Sequence, residues 1–163
     1  MTKEIPLTQG QVAIVDDWRY DELNQYKWYA QWDSHTKSYY AARNSKMILG
    51  KRTKIFMHTV VARTPKGLQT DHINHDTLYN CTDNLRVCTR SQNQMNQTKK
   101  NDNTSGYKGV SAFRKSWQAK IGLNGRDHYI GVFSTKDEAA RAYDEAAKRL
   151  HGEFATFNFR EVK

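Results

Sequence analysis

The side chains best suited to chemistry are Asp71, His72 and Asn93, which lie in one polar stretch of the chain. Asp71 offers a carboxylate and Asn93 an amide oxygen, the kinds of hard ligand that Mg²⁺ takes in phosphoryl chemistry. His72 titrates near neutral pH and can accept a proton from water. If the three groups meet, they suit metal-assisted hydrolysis of a phosphodiester. The bare spacing leaves an alternative open, namely a loop in which the Asx side chains only cap turns.

The segment that carries these residues is expected to form a strand, a loop, a second strand and a helix. Residues 68–73 and 85–89 have strand character, and Thr89 is suited to cap a helix that runs through Gln97. The Asp-His pair then falls at the end of the first strand, and the candidate Asn lies one turn into the helix.

Strand patterns dominate the chain upstream of this segment. Predicted strands cover 11–15, 28–32, 38–42 and 54–58, and the two aromatic-rich ones in the middle are expected to pair as a hairpin. A helix or turn is expected at 20–26, and a short helix at 59–63.

Positive charge is unevenly distributed along the 163 residues, which carry 26 Lys and Arg against 17 Asp and Glu for a net charge of +9. Residues 1–50 are neutral, 51–100 carry nine basic and three acidic side chains, and 106–135 carry five basic and one acidic. Concentrated positive charge predicts a nucleic-acid partner, although net charge can also serve solubility alone.

The composition argues against several other classes. No run approaches the ~18 apolar residues of a membrane span, and the N-terminus lacks a secretory signal, so no membrane partner is expected. Two cysteines, Cys81 and Cys88, cannot form a disulfide framework, which favours a reducing, intracellular compartment. Their spacing contains no CxxC and argues against a structural zinc.

A polar stretch at 97–106 is predicted to be a linker between domains at 1–96 and 107–163. Beyond it, strands are expected at 107–113, 117–123 and 128–133, with Asn124-Gly125 as a hairpin turn.

A helix is predicted to follow these strands. Thr135 and Glu138 have the spacing of a capping box, and Gly152 is placed to end the helix. Its apolar stripe is predicted at Ala139, Ala142, Tyr143, Ala146, Ala147 and Leu150. The C-terminal module is therefore expected to be a three-stranded antiparallel sheet covered by one helix.

The central segment resembles the HNH endonuclease motif, and most closely the phage and intron-associated homing endonucleases. The matching residues are Asp71-His72-Ile73-Asn74, Asp76, Asn80, Asn84-Leu85-Arg86 and Ser91-Gln92-Asn93. The resemblance implies a ββα-metal fold in which Asp71 and Asn93 hold one Mg²⁺ or Mn²⁺ ion. It also implies that His72 activates the attacking water, while Asn84 braces either the loop or the imidazole.

Two further histidines are considered for the same site. His75 stands where the family usually has Gly, and His tolerates the left-handed conformation that a tight turn needs. It is a candidate phosphate contact or a plain loop residue. His58 matches a recurrent His upstream of the motif, with packing or a phosphate contact as its two predicted roles.

The segments 107–110, 130–133, 139–144 and 150–159 resemble the AP2/ERF DNA-binding domain, whose sheet lies in the major groove. The resemblance implies DNA-facing positions at Lys108, Ser111, Phe113, Lys120 and Tyr129, helped by Arg114, Lys115, Arg126 and His128. Several arginines typical of the plant factors are replaced, so base specificity does not carry over.

Taken together, the sequence predicts an α+β protein: a β-rich N-terminal region leads into a ββα-metal nuclease core, followed by the AP2-like sheet and helix. The predicted function is site-specific cleavage of double-stranded DNA by a homing endonuclease, without a small-molecule cofactor, in the cytoplasm of a phage-infected bacterial host. One active site per chain favours a monomer that nicks one strand. Two alternatives stay open: a DNA-binding regulator with an inactive HNH fold, and a structure-specific or repair nuclease.

Overall fold

Residues 1–47, 49–99 and 103–159 are described by a computed structural model, in which the chain divides into two units, Met1–Thr89 and Arg90–Lys163. Both units mix helix and sheet, so the predicted α+β class is confirmed. The division lies ahead of the polar stretch 97–106. Residues 103–106 of that stretch belong with the second unit, where Ser105 is buried and donates to the carbonyl of Val110 at 2.9 Å.

The first unit contains seven short strands and two short helices among its described residues. The strands are β1 Thr2–Pro6, β2 Val12–Asp16, β3 Tyr29–Asp33, β4 Ser38–Asn44, β5 Lys54–Phe56, β6 Gln69–His72 and β7 Leu85–Cys88. The helices are α1 Tyr20–Asn24 and α2 Met57–Val61. The strands pair antiparallel as β1–β2, β3–β4–β5 and β6–β7. One apolar cluster, which includes Val15, Leu23, Trp28, Met57 and Leu85, ties these small sheets together.

The predicted strand at 54–58 ends early, because α2 begins at Met57. Phe56 is still extended, and the Thr59 hydroxyl donates to its carbonyl at 2.7 Å. Helical spacing brings Met57 and Val61 onto one face, and both are buried in the core. His58 therefore lies in the first turn of a helix, and the predicted strand position for it is wrong.

The pairing of β6 with β7 sets the positions of the chemical residues in the first unit. Asp71 lies opposite Arg86, and His72 lies opposite Leu85. The chain between the two strands ends in a 3-10 turn at Thr82–Asn84. These strands match the predicted 68–73 and 85–89 to within a residue or two at each end.

The second unit begins with α3 Arg90–Asn96 and continues with a sheet and a long helix. Its strands are β8 Val110–Phe113, β9 Ser116–Leu123 and β10 Arg126–Phe133, in the order β10–β9–β8, and its helix is α4 Lys136–His151. Asn124 and Gly125 both adopt positive φ, as the predicted Asn-Gly hairpin turn requires.

Helix α4 covers one face of this sheet. Its small side chains Ala139, Ala140, Ala146 and Ala147 are buried, so the helix backbone lies close to Ala119 and Ile121 of β9. The capping box of Thr135 and Glu138 is present, and Gly152 ends the helix with a φ of 55°. Leu150 is 36% exposed, contrary to the predicted stripe.

His151 takes the place that was predicted for Leu150. It is 7% exposed, and its Nε2 hydrogen bonds to the carbonyl of Gly122 at 2.7 Å. This polar contact to the sheet decides which side of the last helical turn is buried. In the part of the chain that the structure describes, no helix is long and apolar enough to span a bilayer.

Gly109 allows the start of β8 to approach α4. A Cβ at this position would overlap the Tyr143 ring and lie 2.6 Å from the carbonyl oxygen of Lys120, and φ is +74°. We expect Gly109→Ala to combine left-handed strain of about 1–3 kcal/mol with overpacking of about 1–3 kcal/mol. Urea denaturation measures the loss.

The matched control is Gly125→Ala. Gly125 has a similar φ of +75°, but a Cβ there would meet nothing within 4 Å. Only the strain remains, so this variant is expected to lose less stability than Gly109→Ala. Equal losses in the two variants would show that the close approach to Tyr143 carries no energetic weight.

Candidate active site

Asp71 is a buried carboxylate whose charge is compensated across the β6–β7 pair. It is 5% exposed, and Arg86 donates from Nε to Asp71 Oδ2 at 2.8 Å. Arg86 Nη2 lies 2.7 Å from the same oxygen. A buried carboxylate needs a partner, and Arg86 provides one for Asp71 at the end of β6.

His72 follows Asp71 in the strand and is held by Asn80. The imidazole is 7% exposed, and its Nε2 lies 3.4 Å from Asn80 Oδ1, a long hydrogen bond. Asn80 is itself fully buried, donates from Nδ2 to the Leu78 carbonyl at 3.0 Å, and donates from its backbone N–H to Ile14 at 2.7 Å. Asn80 therefore presents its amide oxygen to the imidazole from a fixed position.

The environment keeps the His72 imidazole neutral. Burial lowers the pKa of His72 below its ordinary value, against opposing effects of the Asn80 hydrogen bond and the charges of Asp71 and Asp76. With Nε2–H directed at the Asn80 oxygen, the ring carries its lone pair on Nδ1. A neutral imidazole in this tautomer can accept a proton.

The loop after His72 is built by hydrogen bonds from asparagine and aspartate side chains. His75 has the predicted left-handed backbone, with φ +66°, and its N–H donates to the His72 carbonyl at 3.0 Å. Asn74 Oδ1 accepts from the backbone of Asp76 at 2.8 Å. The tight turn leaves His75 exposed beside the imidazole-bearing strand.

Asn84 braces this loop from the far side. Its Oδ1 accepts from the Asn74 N–H at 2.9 Å, and its Nδ2 donates to the Tyr79 carbonyl at 2.9 Å. Two roles were open for Asn84, and these contacts favour the loop, because the imidazole is held by Asn80.

His58 belongs to a cluster of rings around His72. It stacks on Phe56, with ring centroids 5.3 Å apart and planes at 13°, and lies edge-on to His72 at 5.1 Å. Tyr40 closes the cluster at 5.7 Å from His58 and 6.2 Å from His72. Among the described residues, His58 Nδ1 is buried with no hydrogen-bond partner.

This cluster favours the packing role of His58 over a phosphate contact. Burial, and secondarily the neighbouring His72, lowers the pKa of His58 to about 3. A neutral ring whose Nδ1 is shielded is poorly suited to bind an anion, but it can hold the His72 ring in place.

Cys81 and Cys88 are buried free thiols. Burial raises the pKa of both, to about 11 for Cys88. Both therefore stay protonated at neutral pH, and they pack as small apolar side chains.

The oxygen donors predicted for this site are of the kind that a divalent metal takes, but they are few. Across residues 1–47, 49–99 and 103–159, no group of three or more His, Cys, Asp and Glu side chains is placed to hold a metal ion. The predicted set needs only the Asp71 carboxylate and the Asn93 amide. A carboxylate has about four lone-pair directions, so it can hold Arg86 and a cation together. Asn93 lies on α3 in the second unit, and its pairing with Asp71 stays a prediction.

The second unit presents an open sheet face opposite α4. Because Ala119 and Ile121 pack toward α4, alternation turns Gln118 and Lys120 to the other side. The register adds their partners across the strands: Ser111 opposite Gln118, Tyr129 opposite Lys120, and Phe113 opposite Ser116. Ser111, Phe113, Lys120 and Tyr129 are all exposed, as are Arg114 and Lys115 in the β8–β9 turn.

Three of the residues predicted to face DNA have other environments. Arg126 pairs with Leu123 and His128 with Ile121, so the register directs both toward the side of the sheet that carries α4, although both are exposed. Lys108 is half-buried, and its Nζ donates to the carbonyl of Met95 at 2.5 Å.

Comparison with known proteins places these residues in a family. The HNH endonuclease family model matches residues 60–95, which contain Asp71, His72, Asn84 and Asn93. An Acanthamoeba polyphaga mimivirus protein named as an HNH endonuclease is 31% identical over 152 residues, covering 92% of this chain and 76% of that protein. The chain belongs to the HNH endonuclease family. The prediction that it is an enzyme, a nuclease, is confirmed.

Two further relatives match shorter parts of this HNH endonuclease. Protein 3.8 of Escherichia phage T7 is 34% identical over 95 residues, covering 57% of this chain and 78% of that protein. An AP2-like ethylene-responsive transcription factor of Arabidopsis thaliana is 46% identical over 59 residues, which is 34% of this chain and 11% of that protein.

Sequence reasoning on this HNH endonuclease missed the roles of Arg86 and Asn80. Both residues stand in the quoted motif without an assigned function. The signal for Arg86 was the antiparallel pairing of the two strands, which sets it opposite the buried carboxylate. No comparable local signal pointed to Asn80, because its contact with His72 depends on how the loop folds back.

The shielded His58 makes a prediction about the acid stability of the endonuclease. Unfolded His58 takes up a proton below pH 6.5, whereas folded His58 does so only near pH 3. The free energy of unfolding therefore falls as pH drops through this window, by up to about 1.4 kcal/mol per pH unit. We expect His58→Phe, which keeps a ring but cannot titrate, to flatten this fall in urea denaturation between pH 6.5 and 4.5.

His35→Asn serves as the control, since His35 is exposed in the β3–β4 turn. It should leave the pH dependence as in the wild type. An unchanged slope in His58→Phe would contradict a buried, neutral His58.

Proposed function

We propose that this chain is a site-specific, divalent-metal-dependent DNA endonuclease of the homing type, which nicks one strand of duplex DNA per active site. The observation that carries the proposal is the adjacent pair of buried groups at the end of β6, the Asp71 carboxylate in contact with Arg86 and the imidazole of His72, whose pKa burial lowers. An anionic metal ligand beside a neutral base is the arrangement that hydrolysis of a phosphodiester requires.

His72 acts as the general base. Asn80 and the ring cluster of Tyr40 and His58 hold the imidazole in one orientation. The Nδ1 lone pair takes a proton from water as the oxygen attacks the phosphorus in line with the leaving 3′ oxygen. Because burial lowers the pKa of His72, the ring is already neutral at the pH of the cell and needs no deprotonation beforehand.

Asp71 and Asn93 would hold the divalent cation, Mg²⁺ or Mn²⁺, whose charge would stabilise the pentacoordinate phosphate and the leaving oxygen. Arg86 orients the Asp71 carboxylate by its two contacts to Oδ2. The family resemblance implies products with a 5′-phosphate and a 3′-hydroxyl. His75, exposed on its tight turn, is the candidate contact to a neighbouring phosphate.

DNA binding is assigned to the open face of the β8–β9–β10 sheet. The partial likeness to an AP2-like factor supports this, as does the exposure of Lys120, Tyr129 and Phe113 on one face. Arg114 and Lys115 add two exposed cations at the edge of that face. Relatives from a phage and a giant virus support the homing type, and a bacterial host remains a prediction.

A plasmid-nicking assay tests the chemistry. Wild-type protein is expected to convert supercoiled DNA to the open-circle form in Mg²⁺, with loss of activity in EDTA. His72→Ala should reduce the rate by about 10²–10⁴, the usual contribution of a general base. Asp71→Asn and Asn93→Ala should lower the rate and raise the Mg²⁺ concentration needed.

The control for the histidine is His35→Ala, which removes an exposed imidazole far along the chain. It should nick at the wild-type rate. A wild type that binds DNA but leaves it intact would instead favour the DNA-binding regulator. Cleavage of flaps or junctions in preference to duplex would favour a structure-specific nuclease.

The open sheet face predicts how DNA affinity depends on salt. A lysine that contacts a phosphate contributes about −0.9 to the slope of log K against log salt. Lys120→Met should make the slope less negative by about that amount. Fluorescence anisotropy on a labelled duplex measures this, with Ca²⁺ in place of Mg²⁺.

Arg149→Met removes one exposed cation from α4, which lies on the other face of the sheet. This variant has the same net charge as Lys120→Met and should keep the wild-type slope. If both variants change the slope equally, the long-range charge of the module, rather than contact through its open face, governs the affinity.

A further inference from the structure

The C-terminal end of α3 is held by side chains from two distant parts of the second unit. Lys108 Nζ donates to the carbonyl of Met95 at 2.5 Å. Thr156 donates from its hydroxyl to the carbonyl of Asn96 at 2.8 Å and lies 3.2 Å from Asn96 Oδ1. The last carbonyls of a helix have no partner within it, so these two contacts satisfy groups that would otherwise need water.

The backbone of Lys108 is fixed by hydrogen bonds to the Asn158 side chain. Its backbone N–H donates to Asn158 Oδ1 at 2.6 Å, and its carbonyl accepts from Asn158 Nδ2 at 3.1 Å. Asp144 of α4 in turn accepts from the Asn158 backbone at 2.8 Å. Gly109 follows directly and turns the chain into β8 against Tyr143. The ammonium therefore reaches α3 from a point fixed to both the sheet and α4.

The chemistry of this contact favours a cation. The carbonyl end of a helix carries partial negative charge, which a positive side chain stabilises. Lys108 is half-buried, and burial lowers its pKa to about 8 against the opposing charge of Asp144. It is thus charged at neutral pH in spite of its burial, and one of its three N–H donors is used within the protein.

We propose that Lys108 is a positioning residue that fastens α3, the helix bearing Asn93, to the sheet module of the same unit, and that it does not contact DNA. This proposal rests on the proposed function, in which Asn93 is a metal ligand. Helix α3 has only seven residues. A helix this short is not stable alone, so its order depends on the groups that hold its ends. Loosening it is expected to weaken metal binding through Asn93.

Four variants of the full chain test the proposal. Lys108→Met keeps the length of the side chain but removes the donor and the charge. Lys108→Arg can still donate to the Met95 carbonyl. Thr156→Val removes the second hold on α3 without changing charge. Lys115→Met, in the exposed β8–β9 turn, removes a cation that is predicted to face DNA.

Three measurements separate the roles: hydrogen exchange of peptides covering 90–96, the Mg²⁺ midpoint of nicking, and the salt slope of DNA binding. Lys108→Met and Thr156→Val should each speed exchange of α3 about 10-fold and raise the Mg²⁺ midpoint by up to about 10-fold. Their salt slopes should match the wild type. Lys108→Arg should restore both values. Lys115→Met should lower the magnitude of the slope by about one and leave the exchange of α3 unchanged.

Two results would overturn the proposal. One is a salt slope whose magnitude falls by about one in Lys108→Met while the hydrogen exchange of α3 is unchanged. That result would make Lys108 a phosphate contact. The other is faster exchange with an unchanged Mg²⁺ midpoint, which would show that the order of α3 does not affect the metal. If the wild type fails to nick at any Mg²⁺ concentration, the proposed function fails, while exchange and salt slope still decide whether Lys108 fastens α3 or meets DNA.

Discussion

The β6–β7 pair that carries Asp71 and His72 depends on how one buried carboxylate is partnered. Asp71 is 5% exposed, and Arg86 reaches its Oδ2 from the opposite strand as an ion-pair partner. Removing one partner of such a pair typically costs about 3–5 kcal/mol, since the other charge is left buried and alone. A shift of one residue between β6 and β7 would separate the pair and move His72 to the other face. The ion pair therefore specifies the register, and the register sets the position of the base.

The loop between these strands is held by a network of polar side chains, in addition to Leu78, which packs against the apolar cluster. Asn84 satisfies one donor and one acceptor of the loop backbone, and Asn74 closes a tight turn within it. Asn80 links the loop to β2 through Ile14 and to the His72 ring. The buried amides of Asn80 and Asn84 each use both the amide oxygen and the amide nitrogen, and satisfied buried polar groups of this kind add rigidity. The chemistry of the site and the rigidity of the loop thus share the same residues.

Many of the strands and both ends of α4 follow from local patterns and were predictable from the sequence, whereas β1 was not predicted and β5 ends earlier than expected. The Asn-Gly turn and the capping box at Thr135 are examples, since each is decided within four residues. Contacts between distant segments were not predictable. Arg86 and Asn80 acquire their roles from pairing and loop closure, and the buried side of the last turn of α4 is chosen by a hydrogen bond from His151 to the sheet. The early start of α2 also involves distant segments, because Met57 at its first position is buried in the core.

Charge counted along a sequence gives the number of cations but not where they point. In β9, strict alternation directs Lys120 to the open face. In β10, a bulge between Tyr129 and Gly131 changes the phase, so that Tyr129 lies opposite Lys120 whereas Gly131 lies opposite Ala119 on the helix side. Lys108 donates to the Met95 carbonyl within its own unit. The cations that remain for a polyanion on this face lie on one strand and one turn, so recognition there rests as much on exposed rings and shape as on charge.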